Sequence, residues 1–287
     1  MRKVVAGVVL LGIVAVPAGL ARAYCRTTTV HEPVPYDPVA SGCWTQGTAL
    51  AWQAGADIGY SLSQAASDQM SLADATRVTD AAFDTWNTVE CAGGVALDVH
   101  AYDEGPVSEE AAVNDCGLVT TCDPTYHDPL HVIVFDDVAW PHDDPNNTLA
   151  LTTVTYGIMD GRIFDADIEV NTAQHTITAA EPPPDGSYDL QAILTHEAGH
   201  FFGLAHATET TPIMYAQYQP GAITLTSDDV AGVCAIYPPP SPAHASCAAA
   251  PGTDAGGGAW TGTGALGLVA LAAGLRRRKR VTRPRPG

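Results

Sequence analysis

The stretch HEAGHFFGLAH, residues 196–206, sets three histidines and one glutamate close together in a chain of which only 16% is charged. On an α-helix positions i and i+4 share a face, so His196 and His200 project together and can reach one ion. Glu197 is rotated away from that pair, too far round to complete the same tetrahedron, and is placed to meet a water on the ion's open side. Gly203 allows the left-handed turn that ends a helix, and the turn lets His206 double back with a third nitrogen. Three neutral imidazoles and one water make an open tetrahedral zinc site, the catalytic kind. By chance H-E-x-x-H arises in roughly one such chain in a hundred, and Gly203 with His206 lowers that by roughly another 300-fold. Zinc would lower the pKa of its water and polarise a carbonyl, with Glu197 as general base and then acid.

The elements that must position these residues follow from periodicity. Apolar positions in 71–89 recur on one helical face, from Leu72 through Phe83 to Trp86, and Ser71 with Asp74 resembles a capping box. A second helix is expected from about Asp189 to Phe202, where Asp189 suits the positive helix N-terminus. A third over 226–237 starts at Thr226 or Ser227 with two acids in its first turn. Runs at 56–63, 95–102, 130–137, 148–156 and 165–172 read as strands. The expected fold class is therefore α+β, a mixed sheet of about five strands with three main helices and the histidines on the second.

The remaining segments bear on where such a protein works. Residues 1–23 join a basic start to an apolar run and end on Ala-Arg-Ala, the pattern of a secretory signal peptide. Residues 24–237 are long enough for one domain with a real core. Residues 238–258 are a Pro, Ala and Gly linker, and 259–287 join a short apolar segment to the basic cluster RRRKR. Between Tyr24 and Leu275 only Arg26, Arg77 and Arg162 are basic, against all 32 acids of the chain, a formal balance of −29. Phosphate backbones are repelled by such a body, which excludes nucleic acid as a partner. Membrane contact is expected only through the C-terminal tail. Six cysteines, Cys25, Cys43, Cys91, Cys116, Cys122 and Cys234, lack metal spacing and suit an oxidising compartment. Of fifteen connectivities, the preferred one joins Cys25 to Cys43 and Cys116 to Cys122, leaving Cys91–Cys234 to tie the end of the first helix to the last.

His196, Glu197, His200, Gly203 and His206, followed by Met214, resemble the extended zinc motif and Met-turn of the metzincin metallopeptidases. PIMYAQYQPGAITLTSDDVAGVCAIYP and TLALTTVTYGIMDGRIFDADIEVNT place the chain closest to the matrixins. That resemblance implies a zincin-like fold and a zinc endopeptidase acting on protein or peptide. Met214 would form an apolar floor under the ligands, and the edge strand near Leu149–Thr155 would pair with an extended substrate. Matrixin resemblance, with hard oxygen donors in turn-rich sequence, also implies Ca²⁺ near Asp160, Asp165, Asp167 and Glu169. Leu151 and Ile163 stand where matrixins hold a structural zinc with histidines; His127, His131 and His142 read as ordinary surface or core histidines. Cys25 does not match the family's Cys-switch, so latency by that route is not expected. The linker, apolar segment and basic end, with Cys247 upstream, resemble the MYXO-CTERM-like sorting tails of Gram-negative surface proteins; a plain anchor is the alternative. Either way the body faces outward, as a secreted or surface-displayed enzyme. The rival reading is a non-catalytic zinc-binding display module of the same fold.

Overall fold

The computed structural model describes residues 23–108 and 130–238. The expected signal peptide up to Arg22, the Cys116–Cys122 pair, His127, Cys247 and the linker and tail beyond Pro238 lie outside the described residues. Every element below lies within the unit Met1–Ala243. Among the described residues no helix is long and apolar enough to cross a membrane.

Five strands form one mixed sheet: β1 (Ala56–Leu62), β2 (Val99–Asp103), β3 (His131–Phe135), β4 (Ala150–Tyr156) and β5 (Ile163–Val170). Their order is β2-β1-β3-β5-β4. All pairs are parallel except β4 with β5, so the one antiparallel strand is an edge. Burial explains the order. The apolar run of β3 is buried at every position, as a central strand must be, whereas threonine-rich β4 is at most half-buried. β5 alternates Ala166, Ile168 and Val170 on one face with Asp165, Asp167 and Glu169 on the other, and all six are buried.

The strand expected over 95–102 is divided. Gly93 and Gly94 take positive φ of 87° and 70°, and the chain reverses there, so that Val95–Ala96 pairs back with Glu90–Cys91. Only Val99–Asp103 joins the main sheet.

Three helices lie where periodicity puts them: α1 (Leu72–Asn87), α2 (Leu190–Phe201) and α3 (Ser227–Ile236). Ser71, Asp189 and Thr226 cap them, each accepting a backbone N–H of the first turn. Thr226 with Asp229 closes a reciprocal capping box. α1 packs its buried stripe of Ala75, Val78, Ala82, Phe83 and Trp86 against α2. Phe83 stacks on Tyr60 of β1 and meets Phe201 edge-on at 5.1 Å. The Trp86 indole donates to the Thr195 carbonyl at 2.8 Å, and Trp52 does the same to Phe201 at 2.7 Å. The helix that carries the histidines is thereby clamped to α1 and to the sheet by apolar contact and by satisfied indole donors.

Two disulfides close the body as expected, Cys25–Cys43 and Cys91–Cys234. The second joins the residue after α1's exit turn to α3 across a separation of 143 residues.

Phe83 is wholly buried between sheet and helix, so Phe83→Ala is expected to cost about 3–5 kcal/mol of unfolding free energy. Denaturant unfolding followed by far-UV circular dichroism measures it, with Val138→Ala at a fully exposed position as a silent control.

Candidate metal centre and catalytic site

His196 and His200 sit one turn apart on α2. The helix ends at Phe201, Phe202 caps it, and Gly203 follows with φ of 91°. Any Cβ at Gly203 would stand 2.8 Å from the Leu50 carbonyl oxygen, so both the left-handed backbone and the close approach call for glycine. Leu204–Ala205 then pairs antiparallel with Cys25–Arg26. Thr27 N–H donates to the Gly203 carbonyl at 3.0 Å, and the Thr27 hydroxyl to that of Leu204 at 2.9 Å. The segment leading to His206 is held on this side by the N-terminal strand. On the other side Ala207 N–H donates to the Met214 carbonyl at 2.8 Å.

The three imidazoles converge. Their ring centroids lie 4.8, 5.2 and 4.8 Å apart, and one ligand atom from each falls within 4.8 Å of the others. His196 Nδ1 lies 2.7 Å from the Ile213 carbonyl oxygen and His200 Nδ1 2.9 Å from that of Leu204. A carbonyl only accepts, so both Nδ1 atoms carry the proton and both Nε2 lone pairs face inward. His200 Nε2 and His206 Nε2 stand 3.3 Å apart. Two nitrogens on one tetrahedral zinc, each about 2.0–2.1 Å from it, would be separated by about 3.3–3.4 Å. The donor set therefore fits the ion its spacing implied. Burial, then the neighbouring His200 and His196, holds the His206 pKa down to about 2. Burial and then His196 lower that of His200. Neutral imidazole is the form that ligates.

Met214 is nearly inaccessible. At Gly199 a Cβ would run into the Met214 sulfur and stand 2.9 Å from Trp86. Glycine inside the H-E-x-x-H helix is thus a matter of clearance for Met214 and Trp86. Asp229, at 1% exposure, accepts from Ile213 N–H at 3.0 Å and Met214 N–H at 3.2 Å, and also from the Thr226 N–H and hydroxyl. Sequence reading placed Asp229 only as an opening acid of α3. T-S-D-D marked the helix start, but the capping box and the reach to the Met214 turn are seen only in the structure.

Glu197 is buried at 6% exposure. The Thr152 hydroxyl on edge strand β4 donates to its Oε2 at 2.6 Å, a partner that sequence reading did not single out. A cleft of about 880 Å³ runs between β4 and α2, past the histidines. Tyr188, Tyr218 and Leu149 border one part of it; Val30, His31 and Glu32 come from the segment closed by Cys25–Cys43.

The acids expected to share one calcium have separate partners. Asp165 pairs with His131 at 2.8 Å, Asp167 accepts from Val132 N–H at 2.8 Å, and Glu169 pairs with His142 at 2.8 Å. Asp160 is exposed in the β4–β5 turn and accepts from Arg162 N–H. Among the described residues the three histidines are the sole group of three or more His, Cys, Asp or Glu side chains arranged to hold a metal.

The turn at Gly203 gives a direct test. Gly203→Ala forces a side chain into both strain and a backbone oxygen, and is expected to destabilise by about 2–3 kcal/mol. Gly221→Ala, at φ of 71° with nothing within 4 Å, should cost only about 1 kcal/mol. Paired denaturant curves compare them.

Comparison with known proteins points the same way. Residues 134–238 match the family model described as Matrixin. The chain is 34% identical over 98 residues to a probable matrix metalloproteinase 095L of invertebrate iridescent virus 3, covering 34% of this chain and 25% of that one. It is 33% identical over 101 residues to metalloendoproteinase 1 of Glycine max, covering 34% of this chain and 31% of that one. Against human matrix metalloproteinase-20 it is 30% identical over 104 residues, covering 35% and 20%. The chain thus spans about a third or less of the length of these relatives. What it shares with the matrixins is the segment that builds the site, from the end of β3 through the histidine helix and the Met214 turn to α3.

Proposed function

We propose that this chain is an exported zinc endopeptidase, secreted or displayed at the surface of a Gram-negative-type cell. The observation that carries the reading is the convergence of His196, His200 and His206, the Nδ1 protons of His196 and His200 tied outward, beside a buried Glu197 that is not part of that group. A module that merely held a metal would have no use for the glutamate. His196, His200 and His206 would hold the ion, which when bound supplies Lewis acidity and a water made acidic enough to lose its proton near neutrality.

The protein's own residues do the rest. β4 is a sheet edge, and an extended peptide laid along it would gain main-chain hydrogen bonds and lie over the histidines. Glu197 would take the proton from the attacking water and hand it to the leaving amine. Met214 keeps the floor apolar, and Gly203 returns His206 to the group. Tyr188, Tyr218 and Leu149 would shape the pocket for a substrate side chain. Export is supported by the two disulfides, which persist in oxidising compartments, and by the signal-like segment 1–23. The segment 259–287 would sort or anchor the body, with 238–258 as the linker.

Unfolded protein and a peptide library, incubated with the zinc-loaded chain, test this. Internal cleavage should be abolished by chelator and restored by zinc. Glu197→Ala should keep its zinc and lose at least about 100-fold in rate. Zinc bound at one equivalent with no cleavage by the unaltered chain would instead favour the non-catalytic display module.

A further inference from the structure

We infer that Thr152 is a positioning residue for Glu197, setting which carboxylate oxygen faces the reacting water; this rests on the peptidase reading above. Thr152 lies in the middle of β4 and is half-buried. Its Oγ1 is 2.6 Å from Glu197 Oε2 and 3.3 Å from the Glu197 carbonyl oxygen. An ionised carboxylate only accepts, so the hydroxyl proton goes to it, and the shorter contact takes that proton. The length is that of a charge-assisted O–H···O⁻ bond. Glu197 is 6% exposed, where a carboxylate needs a donor. With Oε2 engaged, Oε1 is the oxygen left to receive a proton, and the bond limits the side-chain torsions that would swing it away.

The placement matters as much as the bond. The backbone of Thr152 pairs with Ile168 of β5 on one side, and its other side is the open edge on which a substrate backbone would align. One residue thus belongs to the strand that registers the substrate and also grips the group that handles the proton. The base is held relative to the bound peptide as well as to its own helix. A short aliphatic side chain at this position would leave β4 intact and Glu197 buried without this donor. A proton transfer depends on positioning within hydrogen-bond reach, so the effect belongs in turnover rather than in substrate binding.

Three forms decide it: the unaltered chain, Thr152→Val, which keeps the shape and removes the donor, and Thr152→Ser, which restores it. Zinc content and unfolding midpoint are measured for each, then kcat and KM on one cleaved peptide, and crystal structures of the zinc-free proteins locate the Glu197 carboxylate. Thr152→Val should bind zinc at one equivalent, lose about tenfold or more in kcat, a fraction of what general acid–base catalysis contributes, and hold KM within about twofold. Its Glu197 carboxylate should leave the position seen beside Thr152. Thr152→Ser should recover kcat to within about threefold and hold the carboxylate in place. Full kcat in Thr152→Val, equal loss in Thr152→Ser, a loss confined to KM, or a Glu197 carboxylate unmoved in Thr152→Val would each overturn the inference. Should the unaltered chain cleave nothing, the peptidase reading falls, and the carboxylate position in the zinc-free crystals alone decides whether Thr152 holds Glu197.

Discussion

A single buried carboxylate holds the centre of this molecule together. Asp229 is enclosed by the protein and meets four donors, two from the Met214 turn and two from Thr226. Each bond to a charged group is worth about 1.5–3 kcal/mol net, and an orphaned buried charge costs more, so the turn has no alternative position that satisfies the group. Two consequences follow. The Ile213 carbonyl is held where His196 needs an acceptor, and the Met214 carbonyl where Ala207, next to His206, needs one. The last helix, which carries none of the three histidines, therefore helps orient the His196 imidazole and fix the backbone next to His206.

The opposite wall is organised by packing. Trp86 and Phe83 hold α2 from one side while Trp52 and Tyr237 hold its C-terminal end, donating to the carbonyls of Phe201 and Phe202. Large rings with one polar tip suit this place, because they fill the core and also satisfy the orphan carbonyls at the helix end. The clearance at Gly199, where Met214 and Trp86 close in from two directions, is where polar and apolar supports meet. Rigidity at the ligands comes from that crossing rather than from the helix alone.

Much of this was legible in the sequence because it is local. His196 and His200 share a face through the helix repeat, Gly203 marks the turn, and Ser71, Asp189 and Thr226 announce three helix starts. The five strands were legible in their short β-rich runs, except where Gly93 and Gly94 folded Val95–Ala96 back on Glu90–Cys91, because 95–102 reads as one continuous strand. What stayed hidden are side-chain contacts between distant segments. Asp229 reaches Met214 across 15 positions, and Thr152 reaches Glu197 across 45. The acids of β5 were visible as a cluster, but their period-two spacing says only that they share a face. His131 and Val132 of β3, and His142 beyond it, come from other stretches of chain and divide the cluster among separate bonds.

The covalent link between Cys91 and Cys234, 143 positions apart, closes a ring of chain that contains the three histidines, Glu197, Thr152 and Asp229. A break in one peptide bond of that ring leaves both pieces joined, with the histidines, Glu197 and Asp229 still on one covalent framework. For an enzyme of the proposed kind, bathed in its own activity and that of its neighbours, a nick in a loop need not mean loss of the piece that carries a ligand. The same ring makes reduction, rather than a cut, the event that sets fragments free, so the lifetime of a nicked molecule would be governed by the redox state of its surroundings.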